Sequence, residues 1–326
     1  MFTETWLLLD AHYLCYRAFH VMKYLSHKEI FTGVIYGFLR DVAKLQDDHS
    51  TSRIAFCFDH GPNKRRELMP TYKGNRIDIE YSKAEMKIRL ELQRQIALLK
   101  NCYLEELGYM NVFKQWGYEG DDIIASVCQN LKKHQRAIVV SADGDLNQLL
   151  SKKVSIWHPL NKRLITINTF REEHGIEPWQ WVDVKAIAGC NSDNVKGIKG
   201  VGEKTAAKYL SGKLHPDSTG FAKIVEGDEI WKMNEPIVRL PFPGTKTFKL
   251  RTDEVSARKW RGLMRRLGIK SLINQAPIST QERKRNAAKD LAERMKQRTS
   301  KNGKGSKLRT RNLQDAKPMV DRRRGR

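Results

Sequence analysis

At 326 residues, 40% of them hydrophobic, the chain can bury a substantial core as one large or two ordinary domains, and its formal net charge of +23 selects a polyanionic partner. The excess is unevenly placed, with 17 Lys or Arg against 5 Asp or Glu in residues 281–326, and no amphipathic helix with a large apolar face accompanies it, so nucleic acid is favoured over a membrane surface. Five scattered cysteines (Cys15, Cys57, Cys102, Cys128, Cys190) without a C-x-x-C pair exclude a disulfide framework and a zinc-finger set, and an N-terminal apolar run cut short by Asp10 predicts neither signal peptide nor membrane span.

In chain order, TWLLLD is a buried-strand run ending at Asp10, and Val34, Ile35, Phe38, Leu39, Val42 and Leu45 then repeat at helical spacing. RIAFCFD is a second strand run, ending at Asp59. Ile88, Leu92, Ile96, Leu99 and Tyr103 mark a long helix that stops near Gly108. GYEGDDIIASV follows, and it places Glu119, Asp121 and Asp122 ahead of the apolar stripe Ile123, Ile124, Val127, Leu131. Carboxylates complement a helix N-terminus, which accounts for one or two of these acids; a third crowds like charges unless a cation is shared. AIVVSADGD is a third strand run and carries Asp143 and Asp145 just past its end. VSIWHPLNKRLITI predicts a hairpin turning at Asn161 and Lys162.

Continuous apolar strands alternating with helices predict an α/β domain on a mostly parallel sheet, where ligands gather beyond the carboxyl ends of the strands. Asp10, Asp59, Asp143 and Asp145 then emerge at one edge, together with the N-terminus of the helix carrying Glu119, Asp121 and Asp122. Acids without interleaved His or Cys suit a hard octahedral ion, Mg²⁺ or Mn²⁺. A solvated turn or cap is the ordinary explanation of any one of them, and their convergence is what argues for metal.

Pro178 opens a helix over Trp179, Val182, Lys185 and Ile187, and GCNSDNVKGIKGVGEKTAAKYL follows over 189–210. Gly197, Gly200 and Gly202 are costly inside a helix, and a Gly-rich turn between two helices would aim backbone N–H groups at an anion beside Lys199, Lys204 and Lys208. No G-x-x-x-x-G-K-[ST] is present, so the anion is a nucleic-acid phosphate rather than ATP. VSARKWRGLMRRLG predicts a basic helix burying Val255, Trp260, Leu263 and Leu267. Beyond Gln281 the large apolar residues run out, and a disordered end is expected.

The ordered set LLLDAHYLCYRAF, FDHGPNKRRELMPTYKGNR, GYEGDDIIASV, VVSADGDLNQLL and SDNVKGIKGVGEKTAAKYL, spanning residues 7–210, resembles the 5′ nuclease family: flap endonucleases, the nuclease domain of bacterial DNA polymerases, and stand-alone bacteriophage 5′→3′ exonucleases. The resemblance implies a PIN-like nuclease domain over 1–175 with a helical arch near 73–107. A helix-hairpin-helix-type DNA-binding region over 176–280 and a basic tail over 281–326 would follow. It implies two divalent ions, the first served by Asp10, Asp59, Glu119 and Asp121 with Asp122 in support, the second by Asp143, Asp145 and Asp193. It also implies Lys73 and Arg76 at the scissile phosphate, and DNA contacts from Arg65, Arg66, Tyr72, Lys73 and Arg76 and from Gly197, Lys199, Gly200, Gly202, Lys204, Thr205 and Lys208. A monovalent cation at 197–202 fits the same resemblance. The implied substrates are branched or 5′-ended DNA and RNA–DNA hybrid, in a cytoplasmic monomer working beside replication proteins in a bacterium or phage-infected cell. One position departs from the family. Where its prokaryotic members commonly carry G-D-x-x-D, this chain reads Gly189-Cys190-Asn191-Ser192-Asp193, and a thiol is a poor Mg²⁺ ligand. A second class therefore stays open, a catalytically weak or inactive DNA-junction binding protein of the same fold.

Overall fold

Leu7 and Leu9 of the first strand enter one core while Trp6 and Leu8 enter the other, so this strand has to run through the middle of a sheet covered on both faces. The computed structural model describes residues 2–76, 80–277 and the isolated positions Ala292 and Met295, so the expected disordered tail lies outside the described residues. The strands are β1 (Glu4–Asp10), β2 (Ser26–His27), β3 (Ile30–Phe31), β4 (Ile54–Phe58), β5 (Val112–Lys114), β6 (Gln135–Val140), β7 (Val154–His158), β8 (Arg163–Ile165), β9 (Gly189–Cys190) and β10 (Val195–Lys196). Six of them form the central sheet in the order β5-β4-β1-β6-β7-β8; β2 with β3, and β9 with β10, make two-residue ladders. Every neighbouring pair in the central sheet is parallel except β7 and β8, the antiparallel hairpin expected around Asn161 and Lys162. The strand order reverses beside β1, which makes the crevice past the ends of β1 and β6 a topological switch point.

Helices α1 (Ala11–Met22), α2 (Gly33–Asp48), α3 (Arg65–Leu68), α4 (Lys83–Leu98), α5 (Leu104–Leu107), α6 (Gly120–Gln129), α7 (Ile167–His174), α8 (Trp181–Ala188), α9 (Glu203–Leu210), α10 (Thr219–Glu226), α11 (Asp228–Val238) and α12 (Ala257–Arg266) surround the sheet. On one face α1, α2, α4 and α12 contribute Leu14, Phe38, Ile96 and Trp260 to a core with Leu7 and Phe56. On the other, α6, α8 and α9 contribute Ile124, Val184 and Ala206 to a core with Leu8 and Val139. The expected basic helix is α12, and Trp260 and Leu263 are fully buried. All these elements belong to one compact unit, Met1–Ser279. Among the described residues no helix is long and apolar enough to cross a membrane.

One edge of the sheet is β5, and a later segment ties down the chain just ahead of it. The Asn111 side chain donates to the Arg251 carbonyl at 2.7 Å and accepts the Arg251 N–H at 2.7 Å, and the Glu254 N–H reaches the Gly108 carbonyl at 2.7 Å.

A buried ion pair fixes where α6 begins. Arg65, 2% exposed, donates to both carboxylate oxygens of Asp122 at 2.8 and 2.7 Å, and its Nε donates to the Ile237 carbonyl on α11 at 2.8 Å. Asp122 also accepts the backbone N–H of Glu119 at 3.1 Å and of Phe242 at 2.8 Å. Removing one partner of such a pair strands a charge in the interior at roughly 3–5 kcal/mol, whereas replacing both with apolar groups costs far less. Arg65→Met is therefore expected to lower unfolding free energy in urea by roughly 3–5 kcal/mol, and Arg65→Met with Asp122→Leu to recover a large part of that loss. Equal losses in the single and double variants would show that the charge left behind is not what destabilises.

Candidate active site

The carboxyl edge of the sheet carries the acids. Asp10 closes β1, opposite Cys57 of β4, so Asp59 leaves its strand beside it. Leu9 stands opposite Val140, the last residue of β6, and Ser141 and Asp143 follow at the same level. Asp10 caps α1 by accepting the Tyr13 N–H at 2.9 Å, and its other oxygen accepts the hydroxyl of fully buried Ser141 at 2.9 Å. From the far side α6 brings in Glu119 and Asp121. Gly120 permits the approach: a Cβ there would lie 2.9 Å from the Cys57 carbonyl and 3.3 Å from Asp59 Oδ1, and its N–H donates to Asp59 at 2.7 Å. Glu119 and Asp122 form a reciprocal capping box, so capping accounts for these two acids in part and leaves Asp121 unexplained.

Charge is concentrated and only partly compensated. Asp121 feels Asp10, Asp143, Glu119 and Asp59 together, and burial plus these neighbours push its carboxyl well above the usual range. Burial, then repulsion from Asp59 and Asp143, pushes Asp10 up to about 7. Asp143 is pushed up to about 6 by desolvation in the crevice and by Asp145; its residue is exposed to solvent, so that shift carries less energy. Burial raises Glu119 as well, against the pull of Lys73 and Arg65. Asp59, its side chain half exposed, is the exception: burial opposes ionisation, but His12, the Gly120 N–H, Lys73 and Lys100 outweigh it and hold the carboxyl low. No ion pair reaches Asp10, Asp121 or Asp143 among the described residues.

A second group lies beside the first. Asp145, Cys190 and Asp193 bring their ligand atoms within 4.8 Å of one another. Asp145 pairs with Lys185 of α8 at 2.9 Å, and Lys185 also reaches Glu203 at 2.8 Å. Asp193 accepts from Arg76 at 2.9 Å, and Lys73 lies between it and Glu119, paired with the latter and 3.6 Å from Asp193. The Tyr72 hydroxyl is 2.9 Å from Glu119 and 3.0 Å from Asp193, so two acids contend for one O–H proton. The Cys190 thiol, pushed up to about 11 by burial and by Asp145, is protonated at neutral pH and donates to Asp145 across 3.8 Å.

Asp10, Asp59, Glu119, Asp121 and Asp143 therefore share one crevice, and Asp145 and Asp193 stand next to it. Oxygen donors in excess, three of them in no ion pair among the described residues, fit a hard divalent ion. Three expectations change. Asp122 is fully buried and committed to Arg65, which leaves it no lone pair directed at an ion. Arg65 and Tyr72, 2% and 3% exposed, are interior and cannot line a DNA surface. Arg66, Lys73 and Arg76, with Asp59 and Glu119, line a cavity of about 260 Å³. A larger hollow of about 750 Å³, lined by Leu25, His27, Tyr36 and Lys270, contains none of the acids. Lys199, Lys204 and Lys208 are exposed, Thr205 is half-buried, and Gly200 and Gly202 are exposed beside α9. Gly197 instead packs against backbone, since a Cβ would fall 2.1 Å from the Ala188 carbonyl carbon.

Sequence reasoning missed three residues. Lys185 interrupts the apolar helix WVDVKAIA, and a lysine on a buried helix face is the signal that was available. Lys100 sits in a π-helical turn, Leu99–Tyr103, and donates to the Asp59 carbonyl at 3.1 Å. His12 accepts the Asp59 N–H on Nδ1 at 3.1 Å, and burial keeps its pKa low.

A family profile described as 5′-3′ exonuclease, N-terminal resolvase-like domain, matches residues 5–175. The chain is 35% identical over 211 residues to a 5′-3′ exonuclease of Mycoplasmopsis pulmonis, a match covering 64% of this chain and 67% of that one. It is 34% identical over 207 residues to the thermostable DNA polymerase I of Thermus caldophilus, a match covering 63% of this chain; it spans 23% of the length of that relative. In fold it is similar to the T5 5′-exonuclease with zinc bound (TM-score 0.61, 23% identity, 73% of this chain and 90% of that one). It is also similar to a T5 flap endonuclease in complex with DNA and metal ions (TM-score 0.61, 19% identity, 83% and 98%).

The raised carboxyls set a pH dependence. Asp10 keeps its proton in the folded, metal-free protein up to about 7, whereas the unfolded chain loses it near pH ~4. Its contribution to stability is therefore fully present at low pH and is lost as pH rises from there to about 7. In EDTA, Asp10→Asn is expected to match the parent at pH 4 and to exceed it at pH 8 by on the order of 2 kcal/mol, read from urea unfolding at each pH. An advantage of equal size at both pH values would show that Asp10 is not held protonated by its neighbours.

Proposed function

We propose that this chain, which belongs to the 5′-3′ exonuclease family, is a divalent-metal-dependent nuclease that hydrolyses phosphodiester bonds at 5′ ends or flaps of DNA, with RNA in RNA–DNA hybrids as a further substrate. The observation that carries this reading is the crevice where Asp10, Asp59, Glu119, Asp121 and Asp143 crowd together beside a cavity lined by Arg66, Lys73 and Arg76. Asp10, Asp59, Glu119 and Asp121 would hold one Mg²⁺ or Mn²⁺, and Asp143, Asp145 and Asp193 a second. Ions held there would supply Lewis-acid neutralisation of the phosphodiester and acidification of the attacking water.

The chain's own residues do the rest. Ser141 and the Tyr13 N–H orient the Asp10 carboxylate, and Gly120 and His12 fix the loop carrying Asp59. Lys73 and Arg76, now paired with Glu119 and Asp193, would turn from the acids to the non-bridging oxygens of a phosphate and stabilise charge as it develops. Exposed Lys199, Lys204 and Lys208 would take duplex phosphates farther along, in the helix-hairpin-helix role proposed for 176–280, and the basic segment 281–326 would add electrostatic attraction. DNA and metal ions in the T5 flap endonuclease complex support the assignment.

The rival reading, a silent junction-binding protein, draws on Cys190, whose protonated thiol is no ligand for Mg²⁺. A 5′-labelled flap duplex separates the two. Cleavage with Mg²⁺ or Mn²⁺ and none in EDTA is expected, while Asp121→Asn with Asp143→Asn should bring product to background and keep DNA binding; binding without product under either ion would favour the rival. Cys190→Asp is expected to raise the Mg²⁺-supported rate relative to the Mn²⁺-supported one by ~10-fold. An unchanged ratio would place Cys190 outside the metal's influence.

A further inference from the structure

The nuclease reading uses the charged walls of the 260 Å³ cavity and leaves its lip unexplained. Trp116, 64% exposed, packs on Gly61 of that lining. Its indole lies against Gly61, where an added Cβ would come 2.8 Å from Cδ2, and meets the His60 ring edge-on at a centroid distance of 5.3 Å. The two loops that carry these residues are laced together. The His60 N–H donates to the Tyr118 carbonyl at 3.1 Å, the Gly117 N–H to the His60 carbonyl at 2.7 Å, and the Lys64 N–H to the Gly117 carbonyl at 2.9 Å. Gly61, at φ +81°, itself lines the cavity with Pro62, Arg66, Lys73 and Arg76.

A single exposed aromatic is ordinary on a protein surface. This one sits in a loop whose neighbouring residues are held by backbone hydrogen bonds, is largely exposed, and packs on a residue that lines a cavity with three cationic side chains. Cations that track a backbone together with an aromatic face on which bases stack are the two components of single-strand nucleic-acid binding. We propose that Trp116 is a stacking platform for one nucleobase of the single-stranded 5′ segment whose phosphate sits among Arg66, Lys73 and Arg76. The proposal rests on the nuclease reading for its substrate and adds to it a contact that senses bases rather than charge. Every base has a π-face, so the contact distinguishes a strand with bases from one without and is indifferent to sequence.

The test uses the full chain in EDTA, with fluorescence anisotropy on two flap duplexes. One carries a short thymine 5′ flap, and the other the same flap built from abasic units, with identical phosphates. The parent protein is expected to bind the thymine flap more tightly than the abasic one, by roughly 5- to 150-fold, the range found when single stacking aromatics are truncated. Trp116→Ala should bind both flaps as the parent binds the abasic one, and Trp116→Phe should keep most of the preference. A parent that does not distinguish the flaps, or a Trp116→Ala variant that still does, overturns the proposal. Adding Mn²⁺ to the same samples reads the nuclease assignment separately. Absence of product there, with the flap preference intact, would sink the enzyme reading and leave the stacking site standing.

Discussion

Carboxylates within electrostatic reach of one another resist ionising together, and the architecture at the carboxyl edge of β1, β4 and β6 holds five of them in that position. Parallel register brings Asp10 and Asp59 side by side, Ser141 anchors one oxygen of Asp10, and the absence of a side chain at Gly120 lets a helix N-terminus close on the group. None of these devices neutralises the charge. They fix its position, which leaves the free energy of the crevice to be lowered by protons or by a multivalent cation.

Two structural pairings hold this arrangement from outside. Arg65 and Asp122 join α3, α6 and the chain around Ile237 and Phe242, so the helix bearing Glu119 and Asp121 cannot slide without breaking a dry ion pair. Tyr72 spans Glu119 and Asp193 with one hydroxyl, and thereby ties the first acidic group to the segment after α8. Lys185 and Arg76 neutralise the second group and Lys73 bridges it to Glu119, whereas Asp10, Asp121 and Asp143 of the first are in no ion pair among the described residues. That asymmetry separates the two groups more clearly than their residue types do.

Much of this was legible in the sequence because short apolar runs ending in acid have one simple solution, a buried parallel sheet with its acids at one edge. The strand runs that end at Asp10 and Asp59 and ahead of Asp143, the hairpin near Asn161 and the buried face of α12 follow from local periodicity. What local pattern could not supply was partnership at long range. Arg65 lies in NKRREL, a stretch that reads as solvated or DNA-facing, and it is interior because Asp122, 57 residues away, turns its carboxylate toward it. Tyr72 was misplaced for the same reason. The π-helical turn that carries Lys100 leaves no mark in the spacing of Leu92, Ile96 and Leu99, because an extra residue in a helix changes direction downstream of those positions.

The family match stops at 175, and the physical chemistry does not. Asp122 takes a hydrogen bond from Phe242, Arg65 leans on Ile237, the flank of β5 is closed by Arg251 and Glu254, and Trp260 belongs to the core that holds Phe56. A gene fragment cut at the match boundary would expose a bare sheet margin, hollow out one core and unseat the helix that presents Glu119 and Asp121. The half that carries the acids is thus not a detachable cassette, and anyone grafting it onto a polymerase or a reporter would need to carry the chain through Leu272 along with it.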